Sequence, residues 1–189
     1  FKAPALDFTA DDATIENFKV TVDCPELCHR YSAHYVHDVK IEESPLWMKR
    51  RLNLVGIGAI SNVVDITNYV LKELGQPMHA FDYTTIEGDA INVRRATEGE
   101  KITTLDEDEV TLTTENMLIC DGVKPVALAG VMGGLNSEIK ETTTTVLFES
   151  AKFARDNIRR TSRAVGKSSD SSARYAKGVD EYATVMALK

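Results

Sequence analysis

The sequence predicts an α+β fold: a β-rich core of mixed or antiparallel strands, flanked by a few helices in a layered sandwich. Short β-type runs separated by turn formers fill the middle of the chain, and helical patterns lie on both sides of them. The two types do not alternate strictly, which argues against a doubly wound fold. With 189 residues, of which 43% are hydrophobic, the chain is long enough to bury a core as one domain or as two fused small ones.

The first elements follow a polar lead-in, residues 1–19. Residues 18–23 and 31–41 alternate apolar and polar side chains, which predicts two strands. Ser44 and Pro45 then predict the start of a helix, with Ser44 as the N-cap and Pro45 at the first helical position, where its missing N–H has no partner. Gly56 is the predicted end of this helix.

A second helix is predicted over residues 62–74 and ends at Gly75. The apolar spacing assigns its inward face to Val63, Val64, Ile66, Val70, Leu71 and Leu74.

The second half of the chain reads as β structure up to residue 148. Turn formers such as Asp121-Gly122 and Gly133-Gly134 separate the short runs. The predicted strands are residues 91–95, 110–112, 117–120, 126–131 and 144–148. A helix over residues 152–164, closed by Gly166, follows them.

Charge and cysteine content restrict the classes of function. The net charge is −7, which is unusual for a general nucleic-acid binder. Residues 152–177 nevertheless hold eight basic and two acidic side chains, so a local patch can approach a phosphate backbone. Three cysteines with no signal-peptide pattern indicate a reducing cytoplasm, and no apolar run is long enough to cross a membrane.

Cys24, Cys28, His29, His34 and His37 resemble a zinc set by inventory. The cysteine spacing contains a proline, no second cysteine pair exists, and His34 and His37 fall on opposite faces of a strand. The pattern therefore favours core and surface residues, and we expect no metal.

Two polar positions stand out around the second helix. Thr67 and Asn68 lie inside it, where neither residue type is favoured, and His79 follows its end after a proline. These residues are candidates for a site. The alternative is that Asn68 is a surface residue and His79 is a structural histidine with satisfied hydrogen bonds.

Two further candidates lie at the ends of apolar runs. Residues 127–134 contain three glycines, which permit either close approach of a ligand to the backbone or a tight turn. Glu149 follows an apolar strand, so its carboxylate is either exposed at the rim or buried with a donor. A buried carboxylate would be a strong hydrogen-bond acceptor.

Taken in order, several segments resemble one known family. They are Cys28-His-Arg-Tyr31, Ser44-Pro-Leu-Trp47, Asn62-Val-Val-Asp-Ile-Thr-Asn-Tyr-Val-Leu71, Glu73-Leu-Gly-Gln-Pro-Met-His-Ala-Phe-Asp82, Ala129-Gly-Val-Met-Gly-Gly134, and Arg174 with Gly178-Val-Asp180. From about residue 20 onward the chain is similar to the fused B3/B4 domain of the β subunit of bacterial phenylalanyl-tRNA synthetase. The resemblance implies that residues 20–189 form this editing domain.

The resemblance also implies a set of pocket residues. The family's Thr-Asn pair falls on Thr67 and Asn68, its histidine on His79, its strand-end Ala-Gly on Ala129 and Gly130, and its glutamate on Glu149. The last wall falls on Ser169 and Ser171, where the family usually has threonine and alanine, and Ala176 replaces a usual glutamate. His79, Glu149 and Asn68 are the implied catalytic residues.

The activity implied is hydrolysis of tyrosine wrongly attached to the tRNA for phenylalanine, within a ligase that attaches phenylalanine. The alternative is a non-catalytic module of the same ligase that contacts tRNA. Implied partners are tRNA, the α subunit and the remaining β-subunit domains in a cytoplasmic α2β2 heterotetramer. ATP and magnesium would be used elsewhere in that enzyme, and no cofactor is expected in this part.

Arg155, Arg159 and Arg163 share one face of the predicted helix, because they are spaced four residues apart. They are candidates for contact with RNA phosphates. A solvated face, or a face that docks another domain, is the alternative.

Overall fold

Residues 17–189, which the computed structural model describes, form ten strands and five α-helices. In chain order they are β1 (Lys19–Val22), β2 (Cys28–Val36), α1 (Leu46–Leu54), α2 (Asn62–Leu74), β3 (Met78–Asp82), β4 (Ala90–Arg95), β5 (Lys101–Thr103), β6 (Glu109–Thr111), β7 (Met117–Cys120), β8 (Pro125–Leu128), β9 (Met132–Gly133), β10 (Val146–Phe153), α3 (Arg155–Ala164), α4 (Asp170–Lys177) and α5 (Ala183–Ala187). The α+β prediction is confirmed. Most of the lead-in, up to residue 16, lies outside the described residues.

Two sheets and a small hairpin carry the strands. One sheet has the order β1-β4-β7-β8-β9, the second has the order β2-β10-β3, and β5 pairs with β6. The β1–β4 pair is parallel and the other paired strands are antiparallel, so the strand pairing is mixed, as predicted.

The main core lies between the two larger sheets. Because side chains alternate across a strand, every second residue of β10 points toward the five-stranded sheet. Leu147, Ala151 and Phe153 do so and belong to the main core. Val146 and Phe148 point the other way and pack with Val63 of α2. Glu149 is two residues from both Leu147 and Ala151, so its side chain lies on the same face of β10. Its carboxylate therefore points into the space between the two sheets.

Helix α2 has the bounds that the sequence predicts, and Gly75 caps it in the left-handed conformation at φ 71°. Its buried face differs from the prediction, because only Val63 and Leu71 of the predicted set are buried and Thr67 is buried as well. Ile66 is 38% exposed, whereas Asp65 is fully buried. Asp65 is retained inside because its carboxylate accepts hydrogen bonds from Ser44 Oγ at 2.6 Å and from the Ile60 backbone N–H at 2.8 Å.

The predicted role of Ser44 as an N-cap is wrong. Pro45 occupies the cap position of α1, without a side-chain capping bond. The Ser44 hydroxyl is committed to Asp65 instead. This charge-assisted bond joins the segment before α1 to α2, and it outweighs a local capping interaction.

Several strand and helix boundaries differ from the prediction. Strand β8, for example, ends at Leu128 and not at residue 131. Strand β2 ends at Val36, just before Asp38 adopts a positive φ of 55°. Strand β10 continues to Phe153, so α3 begins at Arg155 and not at residue 152. Strand β3, for which the sequence pattern makes no prediction, pairs with β10 throughout its length.

Candidate functional site

Two cavities meet on the α2 side of the sheet sandwich. The outer cleft has a volume of about 890 Å³, and the inner chamber has a volume of about 50 Å³. Six residues line both: Met78, His79, Val131, Met132, Gly133 and Ser171. The chamber and the cleft therefore adjoin each other, and we call the part lined by these shared residues the neck.

The two cavities are large enough for molecules of different sizes. A cleft of this size is in the usual range for small-molecule sites. The chamber has room for a few water molecules, since one water needs roughly 10–15 Å³. Met78 and Met132 lie at the neck, and methionine side chains adapt easily because they are unbranched and have three rotatable bonds. Rotation of these two side chains would widen the chamber.

Helix α2 supplies the two polar residues that the sequence pattern singled out. Thr67 and Asn68 both line the outer cleft. The Thr67 hydroxyl donates to the Val64 carbonyl at 2.7 Å, so its oxygen remains available as an acceptor. The Asn68 amide makes no hydrogen bond with another described residue and is half-buried, so it can both donate to and accept from a ligand.

Strand β3 places His79 at the neck, on the same face as Phe81. The two rings meet edge to face, with centroids 4.5 Å apart. The imidazole also lies against Gly133, where a Cβ atom would be 2.5 Å from Cε1 and 2.7 Å from Nε2. Burial lowers the pKa of His79 from 6.5 to about 4, so the ring is neutral near pH 7. A neutral imidazole can accept a proton or orient a water molecule.

Glu149 lies directly opposite His79 in the β10–β3 ladder, and it lines the inner chamber. It is only 4% exposed. Its Oε2 accepts a hydrogen bond from the Tyr31 hydroxyl at 3.0 Å. Burial raises the pKa of Glu149 from 4.5 to about 8, and the Tyr31 bond opposes part of that rise. The buried alternative for this carboxylate is therefore the one observed.

Gly130 forms part of the chamber wall after β8, whereas Ala129 lies outside the lining of both cavities. Gly130 has a φ of +67°, and a Cβ there would lie 2.8 Å from Ile158 Cδ1 and 3.0 Å from Phe153 Cδ2. Only glycine fits both the conformation and the space. Ala129 is buried in the main core.

The two serines of the predicted last wall have different surroundings. Ser169 lines the cleft, but its hydroxyl donates to the Val131 carbonyl at 2.7 Å and accepts from the Ser172 N–H as the N-cap of α4. Ser171 lines both cavities and makes no hydrogen bond with another described residue. Ser171 therefore contributes a hydroxyl to the neck that is available to a ligand.

The three arginines of α3 are exposed and lie apart from the chamber. Arg159 and Arg163 line a separate groove of about 340 Å³ beside α4, and Arg155 does not. Arg155 and Arg159 lie 3.7 and 3.8 Å from Asp156. The first turn of α4 faces the cleft through Ser171, and the same helix faces the groove through Ser172 and Ala176.

The cysteines of the rejected zinc set are buried thiols. Cys24 Sγ contacts the Val93 carbonyl at 3.7 Å, and Cys28 Sγ contacts the Arg30 carbonyl at 3.5 Å. Burial raises the pKa of Cys24 to about 11 and that of Cys28 to about 12. Within residues 17–189, no three His, Cys, Asp or Glu side chains are grouped as metal ligands. No helix in that range is long and apolar enough to span a bilayer.

Sequence reasoning missed several residues of the two cavities. Met78, Met132, Gly133 and Tyr175 line the chamber but were not singled out as site residues. Gly133 had a signal, because it belongs to the glycine-rich run that also contains Gly130. The others resemble ordinary core residues, and only the packing of the two sheets brings them to the chamber.

The opposed pKa shifts of His79 and Glu149 predict how stability depends on pH. The folded state is favoured when Glu149 is protonated. Its contribution to the free energy of unfolding is therefore complete below pH 4.5 and is lost as the pH rises through about 8. His79 folds as the neutral form, so its contribution is present above pH 6.5 and is lost as the pH falls through about 4.

We therefore expect Glu149→Gln to gain stability relative to the parent chain between pH 5 and pH 8. The gain should be on the order of 3 kcal/mol, because a neutral amide has no ionised form to bury. Urea unfolding at the two pH values measures it. An equal difference in unfolding free energy at both pH values would contradict the burial argument.

Comparison with known proteins places these features in a family. A family model described as "B3/4 domain" matches residues 27–189. The chain is 49% identical over 188 residues to the phenylalanine–tRNA ligase beta subunit of Syntrophus aciditrophicus, covering 99% of this chain and 23% of that protein. It is 49% identical over 189 residues to the beta subunit of Bacillus cereus, covering 100% and 23%. The chain thus spans about a quarter of the length of these relatives.

A solved structure has the same fold. An N-terminal fragment of the phenylalanyl-tRNA synthetase beta subunit from Pyrococcus horikoshii aligns with a TM-score of 0.59 at 12% identity, over 85% of this chain and 52% of that one. At this identity the similarity establishes the fold alone.

Proposed function

The chain belongs to the B3/4 domain family, and on that basis we propose that it is the editing domain of a phenylalanine–tRNA ligase β subunit, where it hydrolyses tyrosine wrongly attached to the tRNA for phenylalanine. One observation carries the proposal. A buried carboxylate, Glu149, lines a mostly apolar chamber that opens into a cleft large enough for the end of an aminoacylated tRNA.

The chemical task is to separate two amino acids that differ by one hydroxyl. An apolar pocket rejects an added hydroxyl only weakly, so the synthetic site attaches tyrosine at some frequency. A second site that binds the hydroxyl has the opposite preference, because it selects tyrosine over phenylalanine. Phenylalanine entering the chamber would leave Glu149 buried without the partner that tyrosine supplies, and this costs free energy.

The tyrosine ring enters the chamber through the neck, with displacement of Met78 and Met132. Its hydroxyl donates to Glu149, and the backbone of Gly130 forms the adjacent wall. The ester and terminal ribose then remain in the outer cleft beside Thr67 and Asn68. This arrangement puts the recognised end and the reacting end of the substrate in separate compartments.

Hydrolysis requires a water molecule aimed at the ester carbonyl. His79 is at the neck, between the two compartments, and its neutral ring can orient that water or take its proton. Asn68 and Ser171 supply polar groups on the two sides. Among the described residues we find no nucleophile–base pair in contact with the cleft, so orientation of the water and of the tRNA hydroxyl supplies most of the rate.

The partners follow from the same proposal. The domain acts in the cytoplasm on tRNA, within a β subunit that assembles with an α subunit as α2β2. Activation of phenylalanine with ATP and magnesium takes place in other parts of that enzyme. Arg159 and Arg163 are suited to contact phosphates of the tRNA, because their exposed, positively charged side chains line a groove beside α4.

The direct test measures deacylation by the full-length β subunit assembled with its partner. We expect tyrosyl-tRNA to be hydrolysed at least about 100-fold faster than phenylalanyl-tRNA in kcat/KM, because only tyrosine offers a partner to Glu149. Background rates for both substrates with tRNA binding intact would instead identify a non-catalytic tRNA-contacting module.

A further inference from the structure

Tyr31 is a half-buried neighbour of the site that the proposed mechanism does not use. Its hydroxyl donates to Glu149 Oε2 at 3.0 Å. Glu149 lines the inner chamber, but Tyr31 lines neither the chamber nor the cleft. Tyr31 therefore contacts the carboxylate from behind, on the side away from the space where a ligand would enter.

The contact is fixed by strand register. In the β2–β10 ladder, Tyr31 is opposite Ala151 and Ala33 is opposite Glu149, so Tyr31 and Glu149 are diagonal neighbours on one face. Diagonal neighbours lie within reach of an aromatic side chain. Backbone pairing thus places Tyr31 within reach of Glu149, and the hydrogen bond joins residues on two paired strands and not on a loop.

The two carboxylate oxygens of Glu149 differ in their hydrogen bonding. Oε2 accepts from Tyr31, whereas Oε1 has no hydrogen-bond donor among the described residues. We propose that Tyr31 is a positioning residue that engages one carboxylate oxygen of Glu149 and so presents the other to the ring hydroxyl of the substrate. This inference rests on the proposed editing function.

The charge state of Glu149 depends on the same bond. The side chains near it are His79 on β3, Cys28 and Tyr31 on β2, and Tyr175 on α4. No lysine or arginine of residues 17–189 lines the chamber. The Tyr31 donor is accordingly the group that favours the ionised carboxylate, opposing the rise in pKa that burial causes. Without this donor the pKa of Glu149 would rise further.

The test is Tyr31→Phe in the full-length β subunit with its partner subunit. For the parent enzyme, we expect kcat/KM for tyrosyl-tRNA hydrolysis to rise with pH through about 8, because the carboxylate must be ionised to accept the substrate hydroxyl. In Tyr31→Phe the midpoint should move up by about one pH unit, which means roughly tenfold lower activity at pH 7. Activity should recover at high pH.

Tyr35→Phe is the matched control. Tyr35 lies on the same strand and the same face and is the other diagonal neighbour of Glu149. Its ring packs against Tyr83 with centroids 4.9 Å apart, and within the described residues it makes no hydrogen bond with Glu149. Its pH profile should coincide with that of the parent enzyme.

Three results separate the possible failures. A lower activity at every pH, with an unshifted midpoint, would assign Tyr31 a purely structural role and overturn the inference. An unchanged profile in Tyr31→Phe, together with loss of hydrolysis in Glu149→Ala, would overturn the inference and leave the editing function standing. Full activity in both variants would overturn the editing function itself.

Discussion

Replacement of Glu149 by alanine is expected to lower kcat/KM for tyrosyl-tRNA hydrolysis by about 100-fold above pH 8, where the carboxylate is ionised, since a hydrogen bond to a charged group contributes roughly 1.5–3 kcal/mol. The substrate hydroxyl would enter a buried chamber without an acceptor. Hydrolysis of phenylalanyl-tRNA should hardly change, because that substrate makes no use of the carboxylate. The variant therefore loses the difference between the two substrates, which a measurement with each of them would detect.

The fold should survive this substitution. Burial works against the charge of Glu149, as its raised pKa indicates, so the native state gains little from the ionised group. Glu149→Gln is a more conservative substitution at the same position. Its amide keeps the shape and offers a neutral acceptor, so a loss of about tenfold is expected, because neutral hydrogen bonds are roughly half as strong. Unchanged discrimination in Glu149→Ala, with normal thermal unfolding, would exclude Glu149 as the selecting group.

The second large effect is expected for Gly130→Ala, which should lower the free energy of unfolding by about 2–5 kcal/mol. Two costs combine at this position. The left-handed backbone at φ +67° costs an alanine roughly 1–2 kcal/mol. The new Cβ would also lie 2.8 Å from Ile158 and 3.0 Å from Phe153, and overpacking a core costs roughly 1–3 kcal/mol.

Gly166→Ala separates these two costs. Gly166 has the same φ of +67°, but within the described part of the chain no heavy atom beyond its sequence neighbours lies within 4 Å of its hypothetical Cβ. Its alanine variant should show the backbone cost alone. The midpoint temperature of thermal unfolding should therefore drop by roughly 5–15 °C for Gly130→Ala and by less for Gly166→Ala. If the two variants lost equal stability, the chamber wall would accommodate the added methyl group without an overpacking cost.

The elements that the sequence predicts well are those with local signals. Helix α2 combines an apolar period with a C-terminal glycine, and both of its ends were correct. Strand β3 has no such signal, because it is short and follows a proline. Its conformation comes from pairing with β10, which is more than 60 residues away in sequence and cannot be inferred from a local pattern.

The site shows the same division. Residue type and the family resemblance directed attention to Thr67, Asn68, His79, Gly130 and Glu149, and all five line the two joined cavities. Ala129 does not, because it points into the core. The contact of Tyr31 with Glu149 could not have been foreseen, since it joins residues 118 positions apart and depends on the β2–β10 register.

The location of Glu149 on β10 has a consequence for how this domain can evolve. β10 is the middle strand of its sheet, with ladders on both sides, so an insertion or deletion within it would break two sets of backbone pairs at once. A slip by one residue would also turn the acid to the opposite face. Under the proposed editing function, a descendant of this protein that selects a different amino acid should therefore change the chemical identity of residue 149 or of the chamber wall, and keep the strand length unchanged.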